Sequence, residues 1–222
     1  MKKALLLPLA AALLTFPALG QNEGWVPLFD GHSIQGWVVK SGKAAYTVED
    51  GAIVGRTVDG SPNSFLCSPK EYGDFELEFE VKVSDGLNSG VQIRSSLKDL
   101  DKDQFGGRVN GPQVEIESGP GQAGYIYGEA TGLGWLSPKP KNDEPGSAHN
   151  YFKNGEWNHY RVVAKGARIQ TWLNGQPVDD LTHEEIYKSH PKGLIGLQVH
   201  GIKKGTGPFE VRWRNLKIKE LK

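Results

Sequence analysis

The sequence predicts an all-β protein of two antiparallel sheets packed face to face around one core. Three observations predict it. Glycine and proline are dense, at 29 and 13 of 222 residues, and they punctuate the chain into short runs. Those runs alternate apolar and polar side chains with a period of two. One short segment alone, near His183-Glu-Glu-Ile-Tyr-Lys, reads as helix.

The first 20 residues stand apart from this pattern. Lys2 and Lys3 precede an apolar run, and Ala18 and Gly20 are small. That is the layout of a secretory signal, with cleavage expected between Gly20 and Gln21. The run is short for a permanent membrane span. No cysteine follows the expected cut, so no lipid anchor is expected. The mature chain, residues 21–222, is then a single domain of about 202 residues, expected to be periplasmic or secreted. The whole chain carries 26 basic and 26 acidic side chains; without Lys2 and Lys3 the balance is 24 to 26. Such a balance argues against nucleic acid or an anionic membrane as partner. Cys67 is the only cysteine, so no internal disulfide is available.

The segment Gly73-Asp-Phe-Glu-Leu-Glu-Phe-Glu-Val-Lys-Val is the clearest strand. Phe75, Leu77, Phe79, Val81 and Val83 share one face; Glu76, Glu78, Glu80 and Lys82 share the other. Burial is one-sided, as in an antiparallel sheet with a wet outer face. Trp157–Ala164 and Arg168–Leu173 read as a paired hairpin, followed by an Asn174-Gly175 turn. Phe209–Trp213 alternates again. The phase then slips at Arg214-Asn215, which predicts a bulge. Residues from Gly128 to Gly155 lack periodicity and predict a long functional loop.

Three strands depart from the ordinary wet face. In Ser89-Gly-Val-Gln-Ile-Arg, Val91 and Ile93 point inward while Gln92 and Arg94 point outward. In Pro112-Gln-Val-Glu-Ile-Glu, Gln113, Glu115 and Glu117 share the outer face. In Gly193-Leu-Ile-Gly-Leu-Gln-Val-His-Gly, Gln198 and His200 do. A merely solvated face would favour Lys, Thr, Glu and Ser, as the Glu-rich strand at 75–83 does. Gln offers a donor and an acceptor together, and Arg a fixed fork of donors. Glu and His exchange protons near neutral pH. If the strands are neighbours, these groups converge on one surface, with Gly90 and Gly196 leaving room for a ligand. Tyr127, Glu129 and Trp135 follow in the next segments. The aromatic rings can stack on sugar C–H faces, while their polar tips bind hydroxyls, and Glu129 stands at the strand's end.

The remaining histidines show no metal-ligand spacing, and no P-loop, nucleophile elbow or dinucleotide fingerprint is present. No metal or cofactor is expected.

A series of motifs runs in order along residues 25–220: Trp25-Val-Pro-Leu-Phe-Asp-Gly, Gly36-Trp37, Val48-Glu-Asp-Gly, Asn88-Ser-Gly-Val-Gln-Ile-Arg, Pro112-Gln-Val-Glu-Ile, Gly155-Glu-Trp-Asn, Trp172-Leu-Asn-Gly and Gly196-Leu-Gln-Val-His-Gly. The series resembles the 3-keto-disaccharide hydrolase family. The resemblance implies a concanavalin/laminin-G-like jelly-roll sandwich and a secreted enzyme acting on 3-keto-glycosides. It implies elimination across C1–C2 followed by hydration. On that reading Glu115 or His200 is the base, Arg94 binds the ketone oxygen, and Glu129 or Tyr127 assists the leaving group. Gln92, Gln113, Gln198 and Trp135 hold the sugar. Many relatives read Tyr-Glu-x-Gln where this chain has Pro-Gln-Val-Glu, so amide and carboxylate exchange places. The alternative is a non-catalytic carbohydrate-binding module on the same sandwich.

Overall fold

The computed structural model describes residues 24–117, 122–138 and 151–222. The signal expected over residues 1–20, and residues 139–150 of the aperiodic stretch, lie outside the described residues. The described chain forms fifteen strands and one short helix.

One sheet takes the order β13 (Gln176–Thr182), β12 (Arg168–Leu173), β11 (Asn158–Lys165), β6 (Phe75–Val83), β15 (Glu210–Glu220), β4 (Ala52–Arg56), β3 (Ala45–Glu49), with β1 (Val26–Pro27) also paired to β15. The other takes the order β10 (Gly134–Trp135), β9 (Ile126–Glu129), β8 (Arg108–Glu117), β7 (Asn88–Lys98), β14 (Gly193–Val199), β5 (Ser64–Tyr72), β2 (Val38–Lys40). All pairings are antiparallel. Non-consecutive neighbours such as β6 beside both β11 and β15 give the crossed-over connectivity of a jelly roll, as the family resemblance implies.

The core lies between the sheets. Phe75, Leu77, Phe79, Val81 and Val83 from β6 meet Val91 and Ile93 from β7, Val114 and Ile116 from β8, and Ile195, Leu197 and Val199 from β14. Each fully buried aliphatic side chain of this kind contributes roughly 1.5–3 kcal/mol by leaving water. The opposite face of β6 is wet and paired. Arg161 Nε donates to Glu76 at 2.6 Å, and Lys217 Nζ lies 2.7 Å from Glu78. The expected slip in β15 is present as a register shift between Arg214 and Lys217, with Asn215 at φ 53°. It returns Leu216 and Ile218 to the core. The helix α1 (Glu184–Ser189) starts where expected, with the His183 side chain accepting from the Ile186 N–H at the cap. Cys67 is buried, and burial pushes its thiol up to about 12, so it is packing rather than chemistry.

The second irregularity was not legible in the sequence. Between Gln92 and Ser96, β7 spends one residue more than β8 does between Gln113 and Asn110. The extra residue makes a bulge, and Arg94 sits in it at φ 47°. A bulged residue is re-aimed away from the alternation of its strand. Arg94 therefore does not share the outer face with Gln92.

Candidate active site

Strand order brings the three unusual faces together. β7 lies between β8 and β14, and Gly90 is in register with Glu115 on one side and Gln198 on the other. Gln92 is likewise flanked by Gln113 and Gly196. The outer face at this point is thus a patch of four amide and carboxylate side chains over two glycines.

The glycines make room for these side chains rather than for a ligand, which corrects the sequence expectation. A Cβ on Gly90 would lie 2.6 Å from Gln113 Cδ, and a Cβ on Gly196 would lie 3.3 Å from Gln92 Cβ. Gln113 lies across β7, and its direction is dictated by its neighbours. Its Oε1 accepts from Gln92 Nε2 at 2.6 Å and from Gln198 Nε2 at 3.0 Å. Its Nε2 donates to Glu115 Oε1 at 2.5 Å. Ser95 Oγ donates to Gln92 Oε1 at 2.6 Å and closes the far end. Asn88 Nδ2 donates to the other Glu115 oxygen at 3.1 Å.

The Glu115 carboxyl is 3% exposed, and burial pushes it up to about 7 despite the hydrogen bonds from Gln113 and Asn88. Glu117 and Glu129 add a smaller push in the same direction. Glu129 is itself raised, chiefly by burial; Arg108, a hydrogen bond from Asn63, His200 and Lys98 oppose that rise. Glu117 is raised by burial, with His200 opposing. His200 follows β14 directly. Its Nδ1 pairs with the Gly201 carbonyl at 2.6 Å, so the neutral ring carries its lone pair on Nε2. Gly201 N–H donates to Asn63 Oδ1 at 2.9 Å, which ties the β4–β5 connection to the end of β14.

A pocket of about 440 Å³ is lined by Gln113, Glu115, Tyr127, Glu129, Trp135, Gln198 and His200, with Asn63, Asn88 and Gln122. Tyr127 and Trp135 are cross-strand partners on β9 and β10 and meet edge to face, with centroids 5.4 Å apart. Seven of the nine residues singled out in the sequence therefore border one space. Gln92 does not; it is fully buried and orients Gln113 from beneath. Arg94 does not either. Its guanidinium donates to the Gly73 carbonyl at 2.7 Å, to the Gly166 carbonyl at 2.7 Å and to Asp74 Oδ1 at 2.8 Å. It also lies over the Phe75 and Tyr187 rings. Four residues past Gly90, it is about 13 Å along the strand from the level of Glu115, and its donors are committed elsewhere.

Three lining residues went unrecognised in the sequence. Asn88 was recoverable, because it keeps the phase of Gly90 and Gln92. Asn63 and Gln122 come from connections without periodicity and left no signal. Among the described residues no group of three His, Cys, Asp or Glu side chains is gathered as a metal site.

Fold and pocket together define a concanavalin-like jelly-roll sandwich with a buried acid–base cluster on the outer face of one sheet. The chain belongs to the 3-keto-alpha-glucoside-1,2-lyase-like domain family, which it matches over residues 24–219. It is 35% identical to the 3-keto-disaccharide hydrolase of Bacteroides thetaiotaomicron, across 90% of this chain and 79% of that one. A provisionally described glycosyl hydrolase from Parabacteroides distasonis shares the fold at 22% identity and a TM-score of 0.63, covering 94% of this chain and 99% of the other. The carbohydrate-binding module CBM66 of Bacillus subtilis does so at 19% identity and a TM-score of 0.58, covering 83% and 96%. The β-glucanase of Bacillus licheniformis does so at 14% identity and 0.57, covering 91% and 100%. At the level the family sets, the protein is a carbohydrate-processing enzyme.

Proposed function

We propose that this protein is a secreted enzyme that cleaves 3-keto-glycosides by elimination and hydration, with Glu115 as the base at C2. The observation that carries the reading is the Glu115 carboxyl, buried in the pocket, poised near neutrality and held by two amide donors. A ketone at C3 acidifies the C2 hydrogen. Glu115 takes that proton, and the electron pair spreads onto the ketone oxygen as an enolate. The pair then forms C1=C2 as the C1–O bond breaks. The departing oxygen takes a proton from Glu129, whose burial keeps it protonated at higher pH than an ordinary carboxyl. Water adds at C1 and gives its proton back to Glu129, while Glu115 returns its proton to C2. The net change is hydrolysis.

With Arg94 engaged elsewhere, the donors for the ketone oxygen are neutral groups of the pocket, the Gln122 amide and the Tyr127 hydroxyl. Gln198 Oε1 is a buried acceptor without a partner among the described residues, and a substrate hydroxyl satisfies it. His200 lines the pocket, and with its Nδ1 engaged by the Gly201 carbonyl its Nε2 serves as a second proton acceptor.

The test is a matched pair, a chromogenic glucoside and its 3-keto form, given to wild type, Glu115→Gln and His200→Ala. Release from the keto form alone, reduced at least about 100-fold by Glu115→Gln, supports the reading. Binding of the sugars without release of either would make the protein a carbohydrate-binding module. Release that survives both substitutions would move the chemistry away from this pocket.

A further inference from the structure

A second and larger cavity, about 730 Å³, adjoins the pocket, and the two share Asn63 and Glu129 as a common wall. Phe65 and Phe105 line it, with Lys102 and Arg108 among its polar groups. Its outer wall is the β7–β8 connection, residues 99–107. That connection is folded on itself: Lys102 and Asp103 N–H groups both donate to the Asp99 carbonyl, and Gly106 N–H donates to the Asp103 carbonyl. It is also pinned to the β2 side, where Ser41 Oγ donates to the Gly107 carbonyl at 3.2 Å and accepts from Val109 N–H at 2.7 Å. The wall is therefore built before any ligand arrives.

Its charges are unevenly committed. Asp103 accepts from the Phe105 N–H at 2.7 Å and serves the turn. Lys102 and Arg108 form no ion pair within 4 Å among the described residues. Lys40 Nζ stands behind the same wall, 2.9 Å from where a Cβ on Gly106 would be. The cavity thus combines an aromatic side with exposed cations that no carboxylate meets within 4 Å among the described residues, the Arg108 charge reaching Glu129 only at longer range. Glu129, the proton donor to the departing oxygen, stands at its mouth.

We propose that this cavity is the leaving-group subsite and that Arg108 and Lys102 make it select a cyclic leaving group bearing a carboxylate. The inference rests on the elimination reading above, because that reading puts Glu129 at the bond that breaks. A ring lies against Phe105, and its carboxylate meets the Arg108 fork, which suits planar bidentate recognition.

The experiment uses two substrates of equal shape, the 4-carboxyphenyl and 4-carbamoylphenyl 3-keto-glucosides, with wild type and the Lys102→Gln/Arg108→Gln double variant. The quantity read is the ratio of kcat/KM for the charged over the neutral substrate. The intrinsic difference between the two phenols cancels when wild type and variant ratios are compared. Exposed cations support a preference of about fivefold at low ionic strength. That preference should disappear in the double variant, and in wild type at about 1 M salt, where screening shortens to about 3 Å. Binding of the two free phenols is measured by calorimetry in parallel, and the same charge preference is expected. Equal ratios in wild type and variant, together with equal phenol binding, overturn the proposal. Failure to cleave either keto-glucoside, with the phenol preference intact, counts against the elimination reading and leaves the anion-selective cavity standing.

Discussion

Glu115 is where the chemistry and the stability of this protein meet. Its carboxyl sits near 4.5 in an ordinary setting and is raised to about 7 here by burial. The native state therefore holds that proton more tightly than the unfolded chain. The contribution to stability is greatest below about pH 4.5, falls as pH climbs towards 7, and is flat above. A shift of this size corresponds to about 3 kcal/mol. Glu115→Gln removes the titration. The stability of Glu115→Gln relative to wild type should then rise by about 3 kcal/mol between pH 4.5 and pH 8, read by urea unfolding at each pH. A parallel pair of pH profiles would show that Glu115 is not buried as described. Turnover should move oppositely in wild type, increasing through pH 7 as the base ionises. Phase alone identified Glu115 and its neighbours on the outer face. What phase did not convey is the direction of each amide, which follows from hydrogen-bond partners spread over three neighbouring strands.

At the scale of elements, β7 carries both the success and the failure of the sequence reading. Its first half alternates cleanly, and Asn88, Gly90 and Gln92 fall where period two puts them. Its second half contains a bulge that no residue type announces, since Arg is not a favoured residue at positive φ. The misplacement of Arg94 follows from that single extra residue. Gly90 offers the sharper test. In Gly90→Ala the new Cβ must displace Gln113, whose Cδ lies 2.6 Å away, and Gln113 is the donor that orients Glu115. Overpacking of this kind costs about 1–3 kcal/mol. Losing the Gln113 donor also raises the Glu115 carboxyl further, so the rising limb of the pH–rate profile should shift to higher pH. Gly196→Ala is the milder comparison, because its contact with Gln92 is at 3.3 Å. Identical profiles for the two variants would mean that Gln113 does not position the base. Asn63 and Gln122 were beyond any such reading, since they reach the pocket from turns whose course depends on the assembled sheets.

For the whole molecule, the two ends of β7 have separate duties. One end floors the pocket; the other sends Arg94 to the connection between the sheets at Gly73–Asp74 and to the opposite sheet's β11–β12 turn at Gly166. Arg94 is 2% exposed, and removing it takes the guanidinium donor from two carbonyls and leaves the Asp74 carboxylate with only the Gly166 N–H, at 3.1 Å. Arg94→Met should destabilise the protein by about 3 kcal/mol, measured by chemical denaturation. A loss below about 0.5 kcal/mol would show that the guanidinium is dispensable. The turn it holds is flanked by Lys165 and Arg168, both exposed. Arg94 is thus a clasp over a cleavage point. Once it opens, trypsin gains a site in the turn between β11 and β12, while the strands that carry Glu115 stay paired. The Arg94→Met protein should be nicked there first and go on turning over substrate, a cut molecule that still works.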